Sequence, residues 1–242
     1  MRKVNPSLVH GKVAVTPDHS SAGGSATGFK LFTSVEIASD AGDLSLFTDA
    51  ANDKVTRSAG NATVDNHLVA CVENWAATTA EILLADLLPS QNLTMPEAAE
   101  AIFTAAGCHE IAVRLLSSTE MSVLNRDYRG KDGATNVLSF PALDDAEMTL
   151  QLGDLAPDWC APLGDIAICT DVVWEEARQQ GKPAKAHLAH MVVHGMLHLL
   201  GYDHLSEQEA GIMEATEARV LAGLGFDDPY IAVQHEVTKT NS

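Results

Sequence analysis

Two periods govern the apolar positions of this chain, and they alternate along it. Residues 30–39, KLFTSVEIAS, place Leu31, Thr33, Val35 and Ile37 at every second position, which predicts a first strand. From 66 to 88 the apolar residues recur every three or four, predicting a long amphipathic helix that ends before Pro89. A second, short helix, PEAAEAIFTAAG, has Pro96 at its start and Gly107 past its end. Residues 109–117, HEIAVRLLS, read as a strand, and Ser118, Met121 and Leu124 as the start of a helix. Residues 135–141, TNVLSFP, form a third strand stopped by Pro141, and 164–170, GDIAICT, a fourth. Asp171 is the expected cap of the helix DVVWEEARQQG, which Gly181 ends. A helix follows over about 183–200. The last one, 206–224, has Ser206 and Glu209 at capping-box spacing. Between these elements, residues 1–27 are rich in Ser, Gly and Ala and read as a flexible N-terminal extension. Residues 48–63 read as a polar loop, a loop rich in Asp and Pro runs to Leu163, and 236–242 form a C-terminal tail. The expected architecture is one α+β domain over residues 28–235, a four-stranded sheet packed with five or six helices.

Composition narrows the function classes. Net charge is −18, with 33 acidic residues against 15 basic ones, which argues against broad coating of DNA or RNA and makes DNA an unexpected partner. The charge is polarised: Arg114, Arg126, Arg129 and Lys131 lie within 114–131, whereas 203–236 hold eight acids and only Arg219. A local basic cleft is compatible with that balance. The N-terminus has no apolar core after its first charges, so no secretory signal is expected. No uncharged apolar run approaches the roughly 20 residues that span a bilayer, and four histidines interrupt the best candidate, 187–200. Neither membrane nor export is expected, and the localisation expected is cytoplasmic. The four cysteines, Cys71, Cys108, Cys160 and Cys169, form no C-x-x-C pair and read as buried or free thiols in a reducing compartment.

Half of the ten histidines lie within 187–204, and one stretch concentrates the chemistry: HGMLHLLGYDH, residues 194–204. His194 and His198 are four apart, so a helix presents them on one face, one turn apart, at the bite a tetrahedral zinc requires. Gly201 supplies the left-handed turn that ends a helix. The chain then doubles back and brings His204 to the same ion. Three neutral imidazoles leave a coordination position open. His187 and His190 extend the stripe and read as supporting or surface groups. Asp203 is equally suited to orienting a ligand ring or capping a turn. The H-x-x-x-H-x-x-G-x-x-H spacing is shared with metzincin proteases, but their general-base glutamate is replaced by Gly195. Peptide hydrolysis needs that base.

With glycine there, HGMLHLLGYDH resembles the signature of the YbeY-type endoribonucleases, the rRNA maturation factors. LNRDYRGKDGATNVLSFP (124–141), LGDIAIC (163–169), EARQQGKPAKAHLAHMVVHG (176–195) and GFDDPYI (225–231) resemble further segments of that family in the same order. The resemblance spans about residues 109–231. It implies a zincin-like fold and one Zn2+ per chain held by His194, His198 and His204, with an important arginine at Arg129. It implies single-strand-specific endoribonuclease activity in rRNA processing, at the 3′ end of 16S rRNA, and in ribosome quality control. The implied partners are single-stranded RNA, the small ribosomal subunit and an Era-type assembly GTPase.

The residues agree with that chemistry. Phosphodiester cleavage develops charge on phosphate oxygens, which a divalent ion and a guanidinium stabilise. Arg129 offers a planar fork for phosphate, or else is a surface arginine beside Asp127 or Asp132. Arg126 and Lys131 are weaker candidates for RNA-backbone contact. Tyr128 and Tyr202 suit base stacking or a core or rim role. Two other readings compete: a non-catalytic ribosome-assembly factor with a structural zinc, and another metal-dependent hydrolase.

Overall fold

A computed structural model describes residues 29–47, 66–86, 95–104, 107–142 and 160–231. The predicted N-terminal extension, the polar loop at 48–63, most of the Asp/Pro-rich loop and the C-terminal tail lie outside these residues.

Strand β1 (Phe29–Ile37) leads through a short 3-10 turn, Leu44–Phe47, towards helix α1 (Asn66–Asp86). Then follow α2 (Glu97–Thr104), β2 (Gly107–Leu116), α3 (Ser118–Arg129), β3 (Val137–Pro141), β4 (Cys160–Cys169), α4 (Thr170–Gln180), α5 (Ala184–Leu199) and α6 (Glu207–Gly223). The sheet order is β1-β2-β4-β3. The first three strands of that order run parallel, and β3 pairs antiparallel with β4 at the edge. Four mixed strands and six α-helices among the described residues make this an α+β fold, as expected.

Alternation along the strands separates two cores. Ile111, Val113, Leu115, Ile166, Ile168 and Val137 pack with α1 and α5 into the main core. Their neighbours Leu116, Leu138, Ala167 and Cys169 form a smaller one with Met121 of α3. Helix α5 lies in the main core with Leu188, Val192, Val193 and Leu197 fully buried. Its apolar residues surround it because it is buried on most sides. Helix α1 is long and apolar enough, by length and composition, to cross a membrane. The apolar span therefore falls on α1 rather than on residues 187–200. Its Leu68, Val72, Trp75, Ala76, Ala80 and Leu83 are core residues, which accounts for the composition.

Three local expectations are corrected. β4 begins four residues before the predicted strand, at Cys160. Asp171 does not cap α4; Cys169 holds the N-cap position without a side-chain bond, and the Asp171 carboxylate accepts from the Ser118 amide (3.0 Å) and hydroxyl (2.7 Å). Finally, Cys108 and Cys160 form a disulfide, while Cys71 and Cys169 remain thiols. The cause is register: Cys108 of β2 faces Cys160 of β4 directly, with Cα atoms 4.4 Å apart. The Ser206–Glu209 capping box of α6 forms as its spacing predicts.

Candidate metal centre

His194 and His198 project from one side of the last two turns of α5. The Nε2 atoms of the two rings face each other at 3.1 Å. Gly201 then adopts φ +84°, the left-handed conformation that lets the chain reverse after α5. The reversal returns His204, whose ring stacks at 5.8 Å from His194 and lies 5.0 Å from His198, centroid to centroid. One ligand atom from each of the three imidazoles lies within 4.8 Å of the others. His194 and His198 are partly buried and His204 is exposed, so the cluster opens towards solvent on one side.

Hydrogen bonds behind the rings decide which nitrogens face the cluster. His198 Nδ1 meets the Tyr202 carbonyl at 3.0 Å, and a carbonyl only accepts, so that nitrogen carries the proton. His194 Nδ1 meets the Glu217 carboxylate at 2.8 Å under the same constraint. Both Nε2 atoms then present bare lone pairs to each other at 3.1 Å. Two lone pairs so close repel unless a cation lies between them. The donor set therefore fits a divalent metal of the zinc type, which prefers neutral imidazole. Burial, with His194 and His204 adjacent, pushes the His198 pKa down to about 4, keeping it in the neutral form that a metal would require.

Glu217 is 1% exposed and comes from α6. Besides His194 it accepts from His190 Nε2 at 2.8 Å and from the Tyr230 hydroxyl. Burial works against its charge, but the bonds from His190 and His194 outweigh that and hold the carboxyl at about 2. Burial and the Glu217 carboxylate push the Tyr230 phenol far above its ordinary value. His187 belongs to a separate pair, 2.8 Å from Glu176, which Asn136 also contacts. Asp203 accepts the His204 backbone amide at 2.8 Å, the turn-capping alternative. Sequence reasoning missed Glu217, although a signal exists. It interrupts the buried stripe Met213, Val220, Leu221 of α6 at helical spacing, where an acid is out of place unless paired.

Gly195 has a packing reason. A Cβ there would lie 2.7 Å from Ile166 Cγ2 and 3.1 Å from Cδ1. The glycine faces β4, and Ser139 of β3 bonds its carbonyl at 3.3 Å. A side chain at this position would meet the sheet rather than serve as a base.

Arg126 and Arg129 occupy the exposed last turn of α3, and Lys131 the loop beyond it. Arg126 pairs with Asp127 at 3.1 Å. The side chains of Arg129 and Lys131 form no hydrogen bond or ion pair with another described residue, so Arg129 is not tied to Asp127 or Asp132. Two contacts connect this turn to the histidine helix. Tyr128 packs edge-on against Phe140 of β3 at 5.0 Å, and β3 holds α5 through Ser139. Tyr128 is 45% exposed, whereas Tyr202 is buried and belongs to the core.

A family model described as Endoribonuclease YbeY matches residues 81–225, more than half of the chain and all of the histidine motif. The chain is also similar to the solution structure of TM1509 from Thermotoga maritima, at 24% identity. That match covers 67% of this chain and 92% of the other, with a TM-score of 0.38.

Proposed function

Because the chain belongs to the Endoribonuclease YbeY family, we propose that it cleaves single-stranded RNA at one zinc ion held by His194, His198 and His204. The proposed setting is the cytoplasm, in maturation of the 3′ end of 16S rRNA and in ribosome quality control. Its partners there are the small ribosomal subunit and an Era-type GTPase.

The observation that carries this reading is the cluster of three imidazoles with ligand atoms within 4.8 Å and one side open to solvent. A structural zinc is normally closed by a fourth protein ligand. When bound, the ion supplies Lewis acidity to a phosphate oxygen. His194 and His198 turn their Nε2 lone pairs towards it, with their Nδ1 protons committed to Glu217 and Tyr202. Arg129, exposed and unpaired among the described residues, offers two parallel N–H donors to non-bridging oxygens. Arg126 and Lys131 flank it and favour the RNA backbone, a local attraction within a chain of net charge −18. Gly195 disfavours a peptidase, since no general base can be housed against Ile166.

The test is a panel of substrates offered to zinc-loaded protein: single-stranded RNA, duplex RNA and an unstructured peptide. Cleavage of the single strand alone is expected. Peptide cleavage, or intact RNA at full metal loading, overturns the proposal.

A further inference from the structure

We propose that Glu217 is the positioning residue of the metal centre, fixing the tautomer of His194 so that Nε2, and not Nδ1, meets the ion. The inference rests on the metal reading given above.

A neutral imidazole carries one proton, and the nitrogen that carries it cannot bind a metal. His194 on α5 therefore needs an instruction as to which nitrogen stays bare. The Glu217 carboxylate gives it: Oε1 lies 2.8 Å from His194 Nδ1 and only accepts. The other oxygen, Oε2, is taken by His190 Nε2 at 2.8 Å and by the Tyr230 hydroxyl. With both oxygens engaged and the side chain 1% exposed, the carboxylate cannot rotate away from His194 or be replaced by water. His190 presents Nε2–H to Glu217, and its Nδ1 is buried with no hydrogen-bond partner among the described residues. It therefore serves the carboxylate and not the ion. His198 receives the equivalent instruction from a backbone carbonyl, which no substitution removes. Glu217 is thus the side chain through which sequence controls the geometry of this centre. Its charge also makes the His194 ring a stronger donor to a dication.

The experiment has two arms. In the first, metal affinity is measured by competition with a chromophoric chelator, using Zn2+ and Co2+, on wild type, Glu217→Gln and Val72→Ala. Val72 is a core residue of α1 and controls for general loss of stability. Glu217→Gln is expected to bind about 10–100-fold more weakly and to change the visible absorption of bound Co2+. Val72→Ala should melt earlier yet bind within about twofold of wild type, the margin taken as no effect on a scale where supporting residues give 10–100-fold. An affinity for Glu217→Gln within that margin overturns the proposal. The second arm needs no variant to fold. Nitrogen-15 NMR of wild-type histidine rings, metal-free and metal-loaded, is expected to show His194 protonated at Nδ1 in both, with Nε2 shifted by the metal. A bare Nδ1, or metal on Nδ1, overturns the inference while leaving the metal reading intact. A wild type that takes up no metal overturns both.

Discussion

Replacing Gly195 by alanine adds one methyl group where α5 packs against Ile166 of the sheet, and its cost follows from the geometry. The new Cβ would stand 2.7, 3.1 and 3.3 Å from Cγ2, Cδ1 and Cγ1 of Ile166. Ile166 is fully buried in β4, between Val113 of β2 and Ser139 of β3. It is β-branched and stiff at χ1, so relief must come from α5 lifting off β4. Overpacking of this kind costs about 1–3 kcal/mol. Alanine regains about 1 kcal/mol in helix propensity. The net expectation is a loss of about 1 kcal/mol, or roughly 2–4 °C in melting temperature for a domain of this size. A double-mutant cycle in urea sharpens the test. Ile166→Ala alone should cost about 2–5 kcal/mol. In that background the clash is gone, and Gly195→Ala should become stabilising by up to about 1 kcal/mol. If Gly195→Ala stabilises the parent and the Ile166→Ala variant equally, the glycine does not mark a close approach. The packing reason for the missing base then falls with it.

Other outcomes follow from the same structure. Arg129→Lys keeps charge but loses the bidentate fork, so RNA cleavage should fall about tenfold or more with metal content and melting temperature near wild type; Lys131→Ala should act mainly on RNA affinity and its salt dependence. Wild-type cleavage by Arg129→Lys beside an inactive Lys131→Ala would reverse those roles. Chelation should lower the melting temperature and zinc restore it, because ligands on α5 and on the turn after it come together only in the folded state; identical melting curves with and without metal contradict this. Burial of His109 in β2 lowers its pKa to about 4 from an ordinary value near 6.5. The unfolded chain therefore binds the extra proton first, and stability should decline as pH falls from about 6.5 to about 4, by up to about 3 kcal/mol. Denaturant titrations of His109→Leu should show a shallower decline over that window, and an unchanged slope would refute the assignment.

Much of this fold was legible because its signals are local. Period-two and period-three-to-four patterns located the strands and helices, and the Ser206–Glu209 box and Gly181 marked helix ends where they occur. The imidazole cluster was legible for the same reason, since one helix turn, one glycine and one return supply all three rings. What escaped depends on pairings across the chain. The facing of Cys108 and Cys160 is set by the register of strands separated by 52 residues. Asp171 looked like a cap because its tie to Ser118 lies 53 residues away. The partner of His194 comes from α6, 23 residues on, and nothing in the spacing of either helix states that they meet. Gly195 raised the right question, but its answer required the position of Ile166.

The central claim is that three imidazoles hold an ion on which RNA cleavage depends. Its most direct test measures zinc per chain and cleavage of single-stranded RNA on the same preparations of wild type and His198→Ala. That substitution removes one of the two facing Nε2 atoms. The account predicts one ion and cleavage in the wild type, and loss of both in a variant that remains folded. Undiminished zinc in His198→Ala, or full cleavage by a preparation without metal, would contradict it.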